Sequence, residues 1–292
     1  MTNNSSRKTD QLTGNLYIVA TPIGNREDIS VRAINTLKSV DQILAEDTRH
    51  SKQLLTPLGI TTPLTSLHAH NEADKSDELI HALQQGRSFA LISDAGTPLI
   101  SDPGYPLVKK ARSLGIPVIP IPGACALVAA LSASGAPCDT FTFIGFLPAK
   151  STARREKLES LKTATHTVVF YESTHRIDDC LNDIANILGQ DCELVLAKEL
   201  TKSFETFVSG RCKDVQDWLI ADKAHSKGEF VLILPPPEQP THQSDDDHHH
   251  LLSVLLSELP LKQAVKIACK LSGAHKNELY KLALSKNHPI ES

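Results

Sequence analysis

Short runs of β-branched and aromatic residues alternate with amphipathic helical patterns along most of this chain, and that alternation restricts the fold more than any other feature. Runs at 16–20, 42–45, 89–93, 117–121, 141–146, 167–171, 193–197 and 230–234 have the length and composition of strands. Between them lie helical spacings such as Ile29, Ala33, Leu37 and Val40, and then Ile177, Leu181, Ile184 and Leu188 with a stop at Gly189. The pattern predicts an α/β protein with mainly parallel sheets, plus an antiparallel strand or two, for example around 205–208.

A length of 292 residues suits about two domains and a core that needs no disulfides. The six cysteines are scattered and never form a C-x-x-C pair, which fits a reducing, cytoplasmic setting. No apolar run approaches membrane-spanning length, and the polar start through residue 13 reads as a disordered tail. The net charge of −4 argues against a protein that coats nucleic acid, so neither DNA nor membrane is an expected partner; a local basic patch could still bind structured RNA. Such patches occur at Lys150, Arg154 and Arg155, and again in the helical, lysine-rich segment 251–292. The prolines and polar residues of 237–250, ending in His248-His249-His250, read as a linker. The expected division is a 1–13 tail, α/β domains at 14–121 and 122–236, the linker, and a basic helical appendage.

Four loops at predicted strand ends carry the chemistry. Ser93-Asp94-Ala95-Gly96-Thr97-Pro98 combines a carboxylate, a glycine and a hydroxyl where α/β proteins place ligands. Just beyond it, Asp102 fits a helix cap and Pro103 the first helical position. Thr21-Pro22-Ile23-Gly24-Asn25 follows the first strand, yet it is neither G-x-G-x-x-G nor a P-loop. In Pro122-Gly123-Ala124-Cys125-Ala126, small residues either bring backbone amides to a ligand or pack a helix on a sheet; spacing does not separate the two. Arg49 and His50, and again His175 and Arg176, read as first-turn residues of helices capped by Asp47 or Thr48 and by Thr174, where the dipole disfavours cations. A negative partner is expected beside each: Glu172 or Asp179 for Arg176, or else a bound anion. His68, His70, Glu72 and Asp74 complete no metal-site pattern, so no metal is expected.

Taken in order, the segments 16–25, 45–50, 66–72, 91–106, 120–126, 145–150, 170–176 and 198–205 resemble the tetrapyrrole methylase superfamily, and within it the branch acting on small-subunit ribosomal RNA. The resemblance implies two α/β domains with the cofactor in the cleft between them, a small C-terminal helical domain, and a homodimer. It implies S-adenosyl-L-methionine-dependent methylation of a cytidine ribose 2′-hydroxyl in the decoding region of 16S ribosomal RNA. By matching position, Asp94, Gly96, Thr97, Pro122, Gly123, Cys125, Ala126 and Tyr171 would hold the cofactor. The loop with Thr21, Pro22, Gly24 and Asn25 would face the acceptor. Glu172, Glu199 and His175 are candidate general bases; Arg49, Arg176 and Lys202 are candidate clamps, and Lys150, Arg154 and Arg155 would grip RNA. The alternatives are a family member with a tetrapyrrole or protein acceptor, and a catalytically silent ribosomal RNA-binding assembly factor.

Overall fold

The computed structural model describes residues 13–237, 245–272 and 274–286. They form two compact units divided between Pro235 and Pro236. Residues 1–12 of the expected tail and 238–244 of the expected linker lie outside the described residues.

In the first unit, β1 (Leu16–Val19), α1 (Val31–Ser39), β2 (Gln42–Ala45), α2 (Thr48–Leu55), β3 (Leu64–Ser66), α3 (Glu72–Gln84), β4 (Phe89–Ile92), α4 (Tyr105–Ser113) and β5 (Val118–Ile121) build a sheet ordered β3-β2-β4-β1-β5. All its pairings are parallel. Four consecutive buried residues in β4 follow from that, because a parallel sheet is covered on both faces. Leu37 and Leu55 pack on one face with Ile43, and Leu83 and Leu107 on the other with Leu44.

After α5 (Ala126–Ala133), a second sheet is built from β6 (Phe141–Phe146), β7 (Thr167–Ser173), β8 (Glu193–Lys198), β9 (Thr206–Arg211) and β10 (Glu229–Leu234), with α6 (Ser151–Glu159), α7 (Ile177–Leu188) and α8 (Cys212–Ala221) between them. Its order is β6-β7-β10-β8-β9, and only β6 and β7 pair in parallel. Neighbours β7–β10, β10–β8 and β8–β9 are antiparallel, so the expectation of mainly parallel sheets holds for the first sheet and is corrected for the second. The expected antiparallel strand near 205–208 is β9. Val168 and Phe170 point into a core shared with α7 and α8, whereas Val169 and Tyr171 face α5. Burial on both faces makes such strands apolar throughout, so composition carries no sign of direction.

Two helix starts also differ from expectation. α4 begins at Tyr105 behind Gly104, not at Asp102. Gly104 has φ 118°, and a Cβ there would lie 2.6 Å from Leu91 Cδ2; its N–H donates to Glu72 Oε2 at 2.7 Å. α7 begins at Ile177, so His175 and Arg176 precede its first turn. Thr174 does not cap it. Its hydroxyl donates to the Gly228 carbonyl and accepts the Gly228 N–H, tying the end of β7 to the start of β10. Asp47 does cap α2, accepting the Arg49 and His50 N–H groups at 2.8 and 3.3 Å.

The second unit contains α9 (Asp245–Glu258), α10 (Leu261–Ser272) and α11 (Lys276–Lys286) around Leu252, Val265, Leu279 and Ala283. Residues 245–250, expected in a linker, are the first turns of α9. Lys262, Lys266 and Lys270 form an exposed stripe along α10 at i, i+4 spacing. Among the described residues, no helix is long and apolar enough to cross a membrane.

Candidate functional site

Loops from both sheets of the first unit converge on a cavity of about 280 Å³. The first sheet contributes Asp94, Gly96 and Thr97 after β4, and Cys125 and Ala126 after β5. The second contributes Tyr171, Glu172, Lys202 and part of β10. Thr21 and Gly96 exchange backbone hydrogen bonds of 2.9 and 3.0 Å, so the first two strand-end loops form one surface. Gly96 has φ 82°, and a Cβ there would sit 3.2 Å from the Ile23 methyl. The Thr97 hydroxyl donates to the Ala124 carbonyl at 3.0 Å, binding in the third loop. From the second sheet, the Tyr171 hydroxyl accepts the Leu127 N–H at the start of α5, and burial raises its pKa.

Glu172 is 2 % exposed and on the cavity wall. Its Oε1 accepts the Ser173 N–H at 2.8 Å and lies 3.1 Å from Arg176 Nε, while Oε2 is buried without a hydrogen-bond partner. The carboxylate expected beside Arg176 is therefore Glu172 itself, and Arg176 also donates to the Leu147 carbonyl. His175 is exposed and outside the cavity wall.

Glu199 stands behind Lys202. Lys202 Nζ lies 2.8 Å from both Glu199 Oε1 and Glu229 Oε2. Burial disfavours the Glu199 charge, but hydrogen bonds from Lys202 and the Glu229 N–H outweigh it, and its pKa is lowered. Glu199 (φ 51°) and Thr201 (φ 63°) are both left-handed, so this loop is strained and heavily tied down. The 21–25 loop rests on it. Asn25 N–H donates to Thr201 Oγ1 at 3.0 Å, and a Cβ on Gly24 would come within 2.5 Å of Lys202 Cγ.

Other expected residues lie elsewhere. Pro122 and Gly123 form the turn after β5 but are not on the cavity wall; a Cβ on Gly123 would lie 2.9 Å from Ala20 Cβ, which is a packing reason for glycine. Pro22 is likewise off the wall, its neighbour Ile23 on it. Arg49 is exposed and pairs with Asp47 at 3.5 Å, on a separate groove that also holds Lys52. Lys150 is exposed ahead of α6. Arg154, expected to face RNA, is instead only 4 % exposed: its Nε donates to Asp183 at 2.7 Å, and Arg155 meets the other oxygen of that carboxylate at 2.6 Å. These arginines fasten α6 to α7. No group of three His, Cys, Asp or Glu side chains among the described residues could hold a metal ion.

Sequence reasoning missed several cavity residues. Phe146 reaches the wall beyond a register irregularity between β6 and β7 and meets Tyr171 edge-on at 5.7 Å. Leu200 and Val231 are apolar wall residues with no signal beyond hydrophobicity. Asp102, read as a cap, also lines the cavity, as do Ile100 and Ser101. Its own loop held the signal, a second carboxylate eight residues after Asp94.

Comparison with known proteins accords with this arrangement. Residues 15–216 match the family model for tetrapyrrole (corrin/porphyrin) methylases, and residues 242–287 that for an RsmI C-terminal HTH domain. Ribosomal RNA small subunit methyltransferase I of Haemophilus influenzae is 50 % identical over 276 residues, covering 94 % of this chain and 98 % of that one. Among solved structures, a diphthine synthase aligns with a TM-score of 0.59 at 14 % identity, covering 76 % of this chain and 90 % of its own. The uroporphyrin-III C-methyltransferase of Thermus thermophilus complexed with S-adenyl homocysteine aligns at 0.52 and 17 % identity, covering 76 % and 97 %. With a family match across both sheets and a relative aligned almost end to end, this chain belongs to the tetrapyrrole methylase family, in its ribosomal RNA small subunit methyltransferase I branch.

Proposed function

We propose that the protein transfers the methyl group of S-adenosyl-L-methionine to the ribose 2′-hydroxyl of a cytidine in the decoding region of 16S ribosomal RNA. The observation that carries this reading is the relative named for small-subunit ribosomal RNA methylation, aligned over 94 % of the chain. The cavity suits such a donor. Its wall combines apolar Ile23, Leu200 and Val231 with a few polar groups, and glycine stands where a backbone must come close.

Asp94, Gly96, Thr97, Cys125, Ala126 and Tyr171 would hold the cofactor, with Pro122 and Gly123 shaping the turn behind them. When bound, the sulfonium supplies an activated methyl group. The protein's task is then to hold the acceptor oxygen in line, and positioning of this kind is worth about 7 to 11 kcal/mol. Lys202 and Ile23 of the 21–25 loop line the cavity, and together with that loop Lys202 would orient the acceptor nucleotide. Arg49 and Lys150 are exposed and would meet phosphate at the surface, as would the α10 lysine stripe. Arg154 is too buried for that role. We further propose a cytoplasmic homodimer, with α/β domains at 14–121 and 122–236 and an RNA-binding appendage beyond.

The test is a transfer assay with tritiated S-adenosyl-L-methionine on unmodified small subunits and on naked 16S ribosomal RNA, followed by nucleoside mass analysis. The expected product is 2′-O-methylcytidine. Incorporation into neither RNA form by an enzyme that binds the cofactor would overturn the reading.

A further inference from the structure

The loop between β4 and α4 is more contorted than a connection needs to be. Leu99 (φ 70°) and Ser101 (φ 74°) are both non-glycine residues in the left-handed region, on either side of Ile100. Strain of this kind persists only where surroundings enforce it, and it gathers at functional sites. Here it delivers Ile100, Ser101 and Asp102 to the cavity wall. Gly145, in the β6 strand, is close enough that a Cβ there would lie 3.1 Å from Ser101 Oγ, so the contorted loop abuts the second sheet.

Four carboxylates line this cavity, Asp94, Asp102, Glu172 and Glu229, and their partners separate them. Glu172 is ion-paired with Arg176 and accepts the Ser173 N–H; taking a proton would leave a half-buried guanidinium without its counter-charge. Glu229 is ion-paired with Lys202 at 2.8 Å, as is Glu199 behind it, and Asp94 Oδ1 accepts the Asp47 N–H at 3.2 Å. Asp102 has no ion-pair partner among the described residues, and the charged groups that face it are themselves acids: Glu46 at the end of β2 and Asp94 after β4. The Tyr171 phenol feels its charge from the second sheet.

We propose that Asp102 is the catalytic base of this enzyme, accepting the proton of the acceptor 2′-hydroxyl, an inference that rests on the methyl-transfer reading above. The hydroxyl O–H bond breaks toward the Asp102 carboxylate. The freed electron pair on oxygen forms the new O–CH₃ bond as the carbon–sulfur pair leaves on sulfur, giving a neutral thioether and a protonated Asp102 that returns its proton to water. Burial first, then Glu46 and Asp94 against the Ser93 hydrogen bond, pushes the Asp102 pKa up to about 6. A base poised there is ionised at pH 7.5 yet basic enough to work.

The experiment is single-turnover methylation of small subunits by wild type and D102N from pH 5 to 8.5, with S-adenosylhomocysteine affinity measured calorimetrically on the same proteins. The wild-type rate should rise with pH and level off above an inflection near 6. D102N should be slower by about a hundredfold to ten-thousandfold, lack that inflection, and bind the thioether within threefold of wild type. Two results overturn the inference: D102N transfer within threefold of wild type with the inflection retained, or a tenfold or greater loss of thioether affinity, which would make Asp102 a cofactor ligand. If wild type transferred nothing to either RNA form, the underlying reading would fall as well, so the two failures are distinguishable.

Discussion

Replacing Asp102 by asparagine should stabilise the α/β unit at neutral pH while impairing its chemistry. The folded pKa of about 6 lies above the ordinary 3.8, so between those values the folded state binds more protons than the unfolded one. Stability therefore falls as pH rises through that window, and the cost is constant above it. The full gap corresponds to about 3 kcal/mol. Asp102 is only half-buried, and solvent screening reduces the figure to about 1–2 kcal/mol. Asparagine keeps the shape of the side chain but carries no charge for Glu46 and Asp94 to oppose. Urea unfolding followed by circular dichroism at pH 4, 6 and 8 reads the effect. The variant's advantage should be near zero at pH 4 and reach about 1–2 kcal/mol at pH 8. An advantage that did not change with pH, or a variant less stable than wild type at pH 8, would refute the electrostatic reasoning.

The Arg154–Asp183 pair should be structural: D183A strands a buried guanidinium and should cost about 3–5 kcal/mol in urea unfolding at pH 7. The Asp183 pKa is lowered, because hydrogen bonds from Arg155, Arg154 and Ser151 overcome the opposing burial, so this contribution is present above pH 3.8 and should fade as pH falls below it. G96A places a side chain at φ 82° against Ile23 and should weaken S-adenosylhomocysteine binding about tenfold by calorimetry, with thermal unfolding of the unit still cooperative. A chain ending at Pro237 should keep its affinity for that ligand and bind small subunits at least tenfold more weakly at matched salt; loss of both affinities would contradict the separation of the units.

Much of the architecture was legible because burial writes itself into strands and helices as apolar period. The eight expected strands all occur, and Asp47 caps α2 through its own side chain, a local event that neighbouring residues suffice to reveal. β3 escaped, because Leu64-Thr65-Ser66 is too short and too partly exposed to carry a period. The site was legible as loops at strand ends. Which side chains of those loops share a wall was not.

By itself, then, the sequence determined the α/β alternation, the basic helical appendage and the ligand-bearing loops, since each is set by residues close together in the chain. Tertiary structure decided the rest. Strand direction in the second sheet depends on which buried strands pair, and the same apolar run serves either direction. The roles of Arg154 and Glu172 depend on Asp183 and Arg176, partners that only helix packing and chain reversal bring within reach. Asp102 changes from an expected cap to a cavity carboxylate because Gly104 takes the helix start, and because Glu46 and Asp94, from separate strand ends, meet it across space. Electrostatic environment is a sum over three-dimensional neighbours, and linear spacing does not contain that sum.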